Sequence, residues 1–209
     1  MSPFHAPRHV MPLLAMLLSV LFAGCSLLPE QEPIRLFTLP DPSLSASSEA
    51  PRELTLRVDT PSAGSPLDGP RLLVMPSPGE FQAYAGARWR DDIPQLLRDY
   101  LVTAFRRDGR LAAVVDDASR ARSNATLASH LEAFHSRYRD GVPEVVVRLE
   151  VQLLDEASRA VLASRRIEAV VKSNDASLDA VVEAFGRAAD QLTRELVDWT
   201  LERMERPSP

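Results

Sequence analysis

The alternation of apolar and polar residues predicts a chain rich in β-strands from about residue 34 onward. Short strands are expected at residues 34–39, 54–59, 71–76 and 111–115, and long strands at about 125–138, 145–154 and 160–172. One face of the middle long strand is entirely apolar: Val145, Val147, Leu149, Val151 and Leu153. Turn sequences lie at Asp140-Gly141 and at residues 155–159, so the three long strands are predicted to form an antiparallel meander.

Two stretches have the spacing of apolar residues by three and four that is typical of an amphipathic helix. The first begins near Asp91 and Asp92, with Pro94 tolerated in its first turn, and ends at Asp108-Gly109. The second runs from about residue 176 to residue 204. Interleaved strands and helices, then three strands, then a helix predict one α/β domain with a mixed sheet and helices on both faces.

The N-terminal 24 residues have the layout of a secretory signal. A weakly basic start around Arg8 is followed by an apolar run over residues 11–22, which is too short to cross a bilayer, and by Ala23 and Gly24. Cys25 comes next and is the only cysteine in the chain, so it has no intramolecular disulfide partner. This arrangement resembles the lipobox of bacterial lipoproteins, whose cysteine is lipidated and becomes the first mature residue. The alternative is an ordinary cleaved signal with an incidental cysteine.

The lipobox resemblance implies a protein that is anchored in a membrane. One acyl chain binds a bilayer only marginally, whereas the two or three chains of bacterial lipoproteins anchor stably. Ser26 follows the cysteine, and the lack of an aspartate there points by resemblance to the outer membrane, with the mature chain in the periplasm. Residues 1–24 are thus predicted as a signal peptide, 25–51 as the lipidated cysteine with a flexible tether rich in Pro and Ser, and 52–206 as the folded domain.

Charge narrows the range of partners. The chain has 24 basic and 29 acidic residues, a formal net charge of −5, which becomes −6 once the signal and its single arginine are removed. A mildly acidic domain with scattered arginines argues against nucleic acid as a partner. It also argues against general electrostatic adhesion to anionic lipid, for which an acyl anchor would suffice.

Residues that could carry catalysis are few. There is no Gly-x-Ser-x-Gly motif and no glycine loop of the kind that binds phosphates. His130 and His135 are five residues apart in a predicted strand, so they are expected on opposite faces and cannot share a metal. Paired acids such as Asp91 and Asp92 are explained by helix starts and turns. The sequence predicts no enzyme, metal or cofactor, and a hydrolase would require a Ser–His pair assembled in space.

Residues 79–89 contain three of the twelve aromatic residues of the chain, between glycines. Phe81, Tyr84, Arg88 and Trp89 have the composition that protein interfaces favour, and they are the predicted partner-binding residues. The alternative is that Phe81 and Trp89 only cover one edge of the core.

Taken together, these features resemble the ABC-type transport auxiliary lipoproteins, the group that includes paraquat-inducible protein C. The likeness covers roughly residues 34–203. It rests on four short motifs in this order: Leu36-Phe37-Thr38-Leu39, Trp89 before the first helix, Leu131-Glu132-Ala133-Phe134, and Ala184-Phe185.

The resemblance implies a single three-layer α/β/α domain with a mixed five-stranded sheet, similar to anticodon-binding and TolB N-terminal domains. It also implies the outer-membrane lipoprotein of an envelope phospholipid transport system, docking a periplasmic mammalian-cell-entry (MCE) domain protein that works with an ABC transporter. A homo-oligomer would suit a symmetric bridge. A lipoprotein that itself binds a lipid or other apolar ligand is the alternative, and it would need an apolar cavity of about 300 Å³ or more.

Overall fold

The computed structural model describes residues 33–205, so the predicted signal peptide, Cys25 and Ser26 lie outside the described residues. Its elements are β1 (Arg35–Phe37), β2 (Arg52–Val58), β3 (Ser62–Ala63), β4 (Arg71–Ser77), β5 (Glu80–Trp89), α1 (Ile93–Asp108), β6 (Leu111–Asp116), β7 (Ala125–Arg139), β8 (Val142–Asp155), β9 (Val161–Lys172) and α2 (Leu178–Glu205). Neither α1 nor α2 has an apolar stretch long enough to span a membrane.

The sheet is built around β7, which is 15 residues long. Along one edge β7 pairs antiparallel with β8, and β8 pairs with β9, which confirms the predicted meander. Along its other edge β7 pairs in parallel with β2, then β3, then β4. β6 extends the sheet from β2, and β5 and β1 extend it from β4. The described sheet therefore has nine strands, and the five-stranded sheet implied by the resemblance is wrong. The apolar pattern missed β3, which has two residues, and β5, whose glycine and alanines conceal its alternation.

The two faces of the sheet differ sharply in polarity. The apolar residues of β8 that alternate from Val145 to Leu153 are fully buried beneath α2, and we call this the helix face. The opposite face, here called the open face, carries ion pairs such as Arg166 with Glu132 at 2.6 Å and Arg148 with Glu168. Each helix has one apolar stripe to bury, and the polar open face offers no surface for it.

Both helices consequently lie on the same side of the sheet. The hydroxyl of Tyr100 in α1 donates a 2.6 Å hydrogen bond to Asp190 of α2. Leu56 and Val58 of β2, which α1 helps to cover, lie at the same register as Ala125 and Leu127, on the helix face. The prediction of three layers with helices on both faces is therefore wrong. The domain has two layers, one of helices and one of sheet.

A β-bulge in β7 changes which residues share a face. The register of β7 against β8 shifts around Glu132, so one extra residue is inserted on β7. As a result, His130 lies beside Glu150 and His135 beside Val146, and both partners are open-face positions of β8. The prediction that the two histidines point to opposite faces is wrong. Four positions of β8, about 13 Å, nevertheless separate them along the strand.

The segment between β1 and β2, residues 38–51, is packed onto the helices. Leu39 is buried, and the ring of Pro40 occupies the space left by Gly186, where a Cβ would lie 2.8 Å from the ring. Ser43 donates hydrogen bonds from its backbone amide and its hydroxyl to Asp190, at 2.8 and 2.6 Å. In its described part, the predicted tether is packed onto the domain. A few apolar contacts and one carboxylate hold a segment whose composition predicted mobility.

The first helix has the predicted bounds, and Gly109 ends it with a left-handed backbone at φ 77°. Asp92 occupies the position before the first helical residue, but its side chain makes no capping hydrogen bond. Asp91 instead pairs with Arg90 at 2.8 Å. The helix start therefore depends on Pro94 and on the burial of Ile93 rather than on an acidic cap.

Candidate functional site

Trp89, one of the four predicted partner-binding residues, belongs to the core. Its side chain is 0% exposed and packs edge-on against Phe134 and Phe185, with ring centroids 5.6 and 5.2 Å apart. Those two rings stack on each other at 4.8 Å. The prediction that Trp89 forms part of an exposed surface is therefore wrong. Trp89 is the last residue of β5, where α2 covers the helix face. The alternative prediction, that Trp89 is a core residue, is right.

Tyr84 is half-buried, and its hydroxyl is already in a hydrogen bond. The hydroxyl lies 2.8 Å from Oγ of Ser136, a fully buried residue of β7. Burial raises the pKa of Tyr84. This hydrogen bond joins β5 to β7, and only part of the Tyr84 ring is available to a partner.

Phe81 is exposed at the start of β5, next to the turn between β4 and β5. Its side chain is 36% exposed and its ring meets that of His135 edge-on at 5.3 Å. The turn between β7 and β8 lies at the same end of the sheet, because β4 and β7 run in parallel. Tyr138 and Val142 flank that turn and are 48% and 40% exposed. We call Phe81, Tyr138 and Val142 the hairpin-end patch.

Sequence reasoning did not identify Tyr138 and Val142 as surface candidates. The sequence pattern places both residues only in the two strands or in the turn between them. The available signal was an aromatic and a β-branched residue immediately flanking Asp140-Gly141, where a hairpin end leaves little structure to cover them.

Arg88 lies at the other end of β5 from Phe81. It is exposed, and it lies beside Leu36 of β1 on one side and Arg71 of β4 on the other. The predicted four-residue site is thus divided: Phe81 at one end of β5, Tyr84 between, Arg88 at the other end, and Trp89 in the core.

His135 supports Phe81 as an aromatic ring. It is 6% exposed, and burial, together with the positive charges of Arg137 and Arg148, lowers its pKa to about 4. His135 is therefore neutral near neutral pH. An imidazole with so low a pKa is a poor general base at that pH.

The structure does assemble one Ser–His pair, of the kind that a hydrolase would need. Oγ of Ser62 lies 3.0 Å from Nδ1 of His130, in a depression of about 270 Å³ that Glu150 also lines. A nucleophilic serine requires a base that a third group orients, and within residues 33–205 no carboxylate hydrogen-bonds to His130. The hydroxyl of Ser62 also lies 3.3 Å from the carbonyl oxygen of Ser129, a competing acceptor. Within the described part of the chain, the pair therefore has no third group to orient its base.

Concavities in the described residues have linings that mix polar and apolar side chains. A depression of about 440 Å³ on the open face is bordered by Arg57, Asp59, Glu156 and Arg159. Burial, with the nearby charge of Asp117, raises the pKa of Asp59. The space between the sheet and the helices is filled by side chains such as those around Trp89. Residues 33–205 contain no group of three His, Cys, Asp or Glu side chains that could hold a metal ion.

Comparisons with known proteins give this fold a family. The sequence model of the ABC-type transport auxiliary lipoprotein component matches residues 37–197. The crystal structure of protein XCC0632 from Xanthomonas campestris, assigned to the DUF330 family, superposes with a TM-score of 0.74 at 33% identity, over 81% of this chain and 96% of that one. A crystal structure of an uncharacterized protein, at 20% identity, shares the fold with a TM-score of 0.64 over 80% of this chain and 99% of that one.

A curated relative is longer than this chain. The uncharacterized protein bll6063 of Bradyrhizobium diazoefficiens is 26% identical over 147 residues, which are 70% of this chain and 39% of that protein. The match therefore spans well under half of the relative's length. With the family model covering most of the described domain, the chain belongs to the ABC-type transport auxiliary lipoprotein family.

Proposed function

We propose that the chain is the outer-membrane lipoprotein of an envelope phospholipid transport system, anchored through lipidated Cys25. In this role it docks an MCE-domain protein that spans the periplasm and works with an ABC transporter. Membership of a family of transport auxiliary lipoproteins supports a role in transport. The lipobox resemblance and Ser26 support the anchor and its membrane.

The observation that carries the docking role is the hairpin-end patch. Phe81, Tyr138 and Val142 expose apolar area at one end of the sheet, whereas the middle of the open face carries ion pairs such as Arg166 with Glu132 and Arg148 with Glu168. Exposed apolar groups beside charged ones, here Arg139, are typical of protein interaction sites. The patch lies on two hairpins that belong to one sheet: β4 pairs with β5 and β7, and β7 pairs with β8.

Docking is favoured over direct lipid binding because of the interior. An acyl chain needs an enclosed apolar cavity, and the depressions described above are open and each has at least one charged side chain in its lining. Between sheet and helices, buried aromatic and aliphatic side chains occupy the space that a lipid would need.

Mechanistically, the proposed role is positioning rather than chemistry. A membrane-anchored domain that binds the end of a periplasmic protein keeps that end near the membrane and raises its effective concentration there. The transported lipid would then pass through the partner.

The test is photo-crosslinking in the native envelope. A photoreactive residue replaces Phe81 or Tyr138, and the matched control replaces Val161, an apolar residue that is 53% exposed at the start of β9, at the opposite end of β8 from the hairpin-end patch. An MCE-domain protein is expected from the first two positions and not from the control. Crosslinks to lipid alone would favour the lipid-binding alternative. Equal crosslinking from position 161 would remove the hairpin-end patch as the docking surface.

The anchor has a separate test. Mass spectrometry of the mature protein is expected to find acyl groups on Cys25, and membrane fractionation is expected to place the protein with the outer membrane. The variant Ser26→Asp is expected to shift it toward the inner membrane in an enterobacterial host. An unmodified Cys25 would contradict the anchor.

A further inference from the structure

Leu36, Arg88 and Arg71 form a row across three neighbouring strands on the open face. β1 pairs with β5 so that Leu36 lies beside Arg88, and β5 pairs with β4 so that Arg88 lies beside Arg71. The register of β4 and β5 pairs the two arginines directly, and adjacent strands are about 4.8 Å apart. Leu36 is 56% exposed, and Ile34, two residues earlier, is 58% exposed.

The pairing of the two arginines is not explained by the stability of the fold. Like charges at directly opposed positions on neighbouring strands are destabilising. Within residues 33–205 neither guanidinium has an ion pair or a side-chain hydrogen bond, although neighbouring arginines do: Arg35 with Asp179 at 2.6 Å and Arg90 with Asp91 at 2.8 Å. Two guanidinium groups with no ion pair among residues 33–205, beside an exposed leucine, therefore indicate a binding partner that supplies negative charge next to apolar material.

The covalent chain limits how far this row can lie from the membrane. Only eight residues separate Cys25 from Ile34, and a fully extended chain of that length spans about 30 Å. This step rests on the proposed lipidation of Cys25. The row is then within reach of the bilayer surface, and it lies at the first element of the domain after the anchor.

The net negative charge of the protein does not oppose local binding. At physiological ionic strength charges are screened over about 8 Å, so a phosphate at the row responds mainly to Arg71 and Arg88. Guanidinium groups bind phosphate oxygens in a planar, two-pronged geometry, and exposed aliphatic side chains enter the boundary between headgroups and acyl chains.

We propose that this row is a membrane-docking surface for anionic phospholipid. Arg71 and Arg88 bind headgroup phosphates, and Ile34 and Leu36 insert at the interface. The turn between β4 and β5 lies six positions of β4 away from the row, roughly 20 Å. Docking would therefore hold β1 and the start of β4 at the bilayer, with the hairpin-end patch separated from the row by that distance along the strands.

The experiment uses the full lipidated protein in vesicles. Because Cys25 is the only cysteine and its sulfur would carry lipid, Leu36→Cys supplies a single free thiol for an environment-sensitive fluorophore. Val161→Cys is the matched control. In vesicles containing 30% phosphatidylglycerol we expect spin-labelled lipid to quench the probe at position 36 and not the probe at position 161. In pure phosphatidylcholine the quenching at position 36 is expected to be weaker.

The double variant Arg71→Gln with Arg88→Gln tests the cationic contribution. A basic residue near an anionic surface contributes roughly fivefold to binding, so the ratio of docked to undocked domain should fall about 25-fold. Because like charges oppose each other in the fold, the same variant should raise or preserve the urea midpoint, unlike the loss of a structural residue.

Several results would overturn the proposal. Equal quenching in anionic and neutral vesicles would show that the arginines do not contribute to docking. Quenching at position 36 that appears only when an MCE-domain protein is added would make the row a protein contact. Mass spectrometry of the same preparation reports the acyl groups, and their absence would refute the anchor of the proposed function and, with it, the membrane that the row would face.

Discussion

Asp190 is the residue whose replacement should most clearly release the segment between β1 and β2. Its carboxylate, 9% exposed, accepts hydrogen bonds from the Tyr100 hydroxyl at 2.6 Å and from the amide and hydroxyl of Ser43 at 2.8 and 2.6 Å. Burial alone would raise the pKa of Asp190, but the hydrogen bonds from Ser43 and Tyr100 and the charge of Arg194 together hold it below its ordinary value of 3.8.

The expected loss of stability depends on whether each donor finds another acceptor once the carboxylate is removed. Tyr100 is 5% exposed, and while residues 38–42 still cover it, an unsatisfied buried donor there costs about 2 kcal/mol. Ser43 can be rehydrated if the segment detaches, at a cost of about 1 kcal/mol. Asp190→Ala should therefore lower the free energy of unfolding by about 3 kcal/mol. Asp190→Asn keeps one acceptor and should cost about 1.5 kcal/mol.

The assay is urea unfolding together with hydrogen exchange. With a slope of about 2 kcal/mol per molar urea, Asp190→Ala should lower the midpoint by about 1.5 M. Backbone amides of residues 39–47 should exchange faster. The matched control is Asp198→Asn on the same helix, where the carboxylate is 70% exposed and pairs with Arg110 at 2.7 Å; its midpoint should move by less than about 0.5 M.

Lowering the pH tests the sign of the contribution of Asp190 to stability. A carboxylate with a lowered pKa stabilises the folded state above its unfolded pKa, near 3.8, and this contribution disappears as the pH falls through the folded pKa. The difference between the wild type and Asp190→Asn should therefore shrink below about pH 4. Two equal midpoints at pH 7, with unchanged exchange in residues 39–47, would show that this carboxylate does not hold the segment.

Three other outcomes are expected. Trp89→Ala should lower the free energy of unfolding by about 3–5 kcal/mol, whereas Phe81→Ala, at a partly exposed site, should cost less than about 1 kcal/mol; equal losses in chemical denaturation would contradict the assignment of only Trp89 to the core. Because burial lowers the pKa of His135 to about 4, the unfolded chain takes up a proton first, and acidification from pH 6.5 to 4 should destabilise the protein by up to about 3 kcal/mol. His135→Phe should flatten this dependence in urea titrations. Ser62 should not react with a fluorophosphonate probe, and labelling that His130→Ala abolishes would revive the hydrolase alternative.

Patterns that depend only on local chain chemistry could be predicted from the sequence. The three long strands follow from alternation, and α1 follows from apolar spacing between Pro94 and Gly109. Features set by pairing between distant segments could not. The extra residue at Glu132 is invisible until β7 is aligned against β8, and it alone decides that His130 and His135 share a face.

The candidate site could be predicted only in part, for a related reason. Residues 79–89 were identified by composition, but which of their side chains are exposed depends on where α2 crosses the sheet. Trp89 lies under α2 on the helix face, whereas Phe81 packs against His135 on the open face. The row containing Arg71 and Arg88 has no signal in the linear sequence, because 17 positions separate two residues that β4 and β5 place side by side.

The attachment of β1 to the domain has a mechanical consequence if Cys25 is held in a bilayer. Tension on the chain would enter at Arg35, where β1 runs parallel to β5 and Arg35 pairs with Asp179. A pull along the strand loads its hydrogen bonds together, in shear, rather than opening them one at a time. Behind them, Pro40 against Gly186 and Ser43 on Asp190 form a second region of resistance. A partner that pulls on the domain from the periplasm would therefore load these contacts with the helices before it could detach the domain from the N-terminal segment.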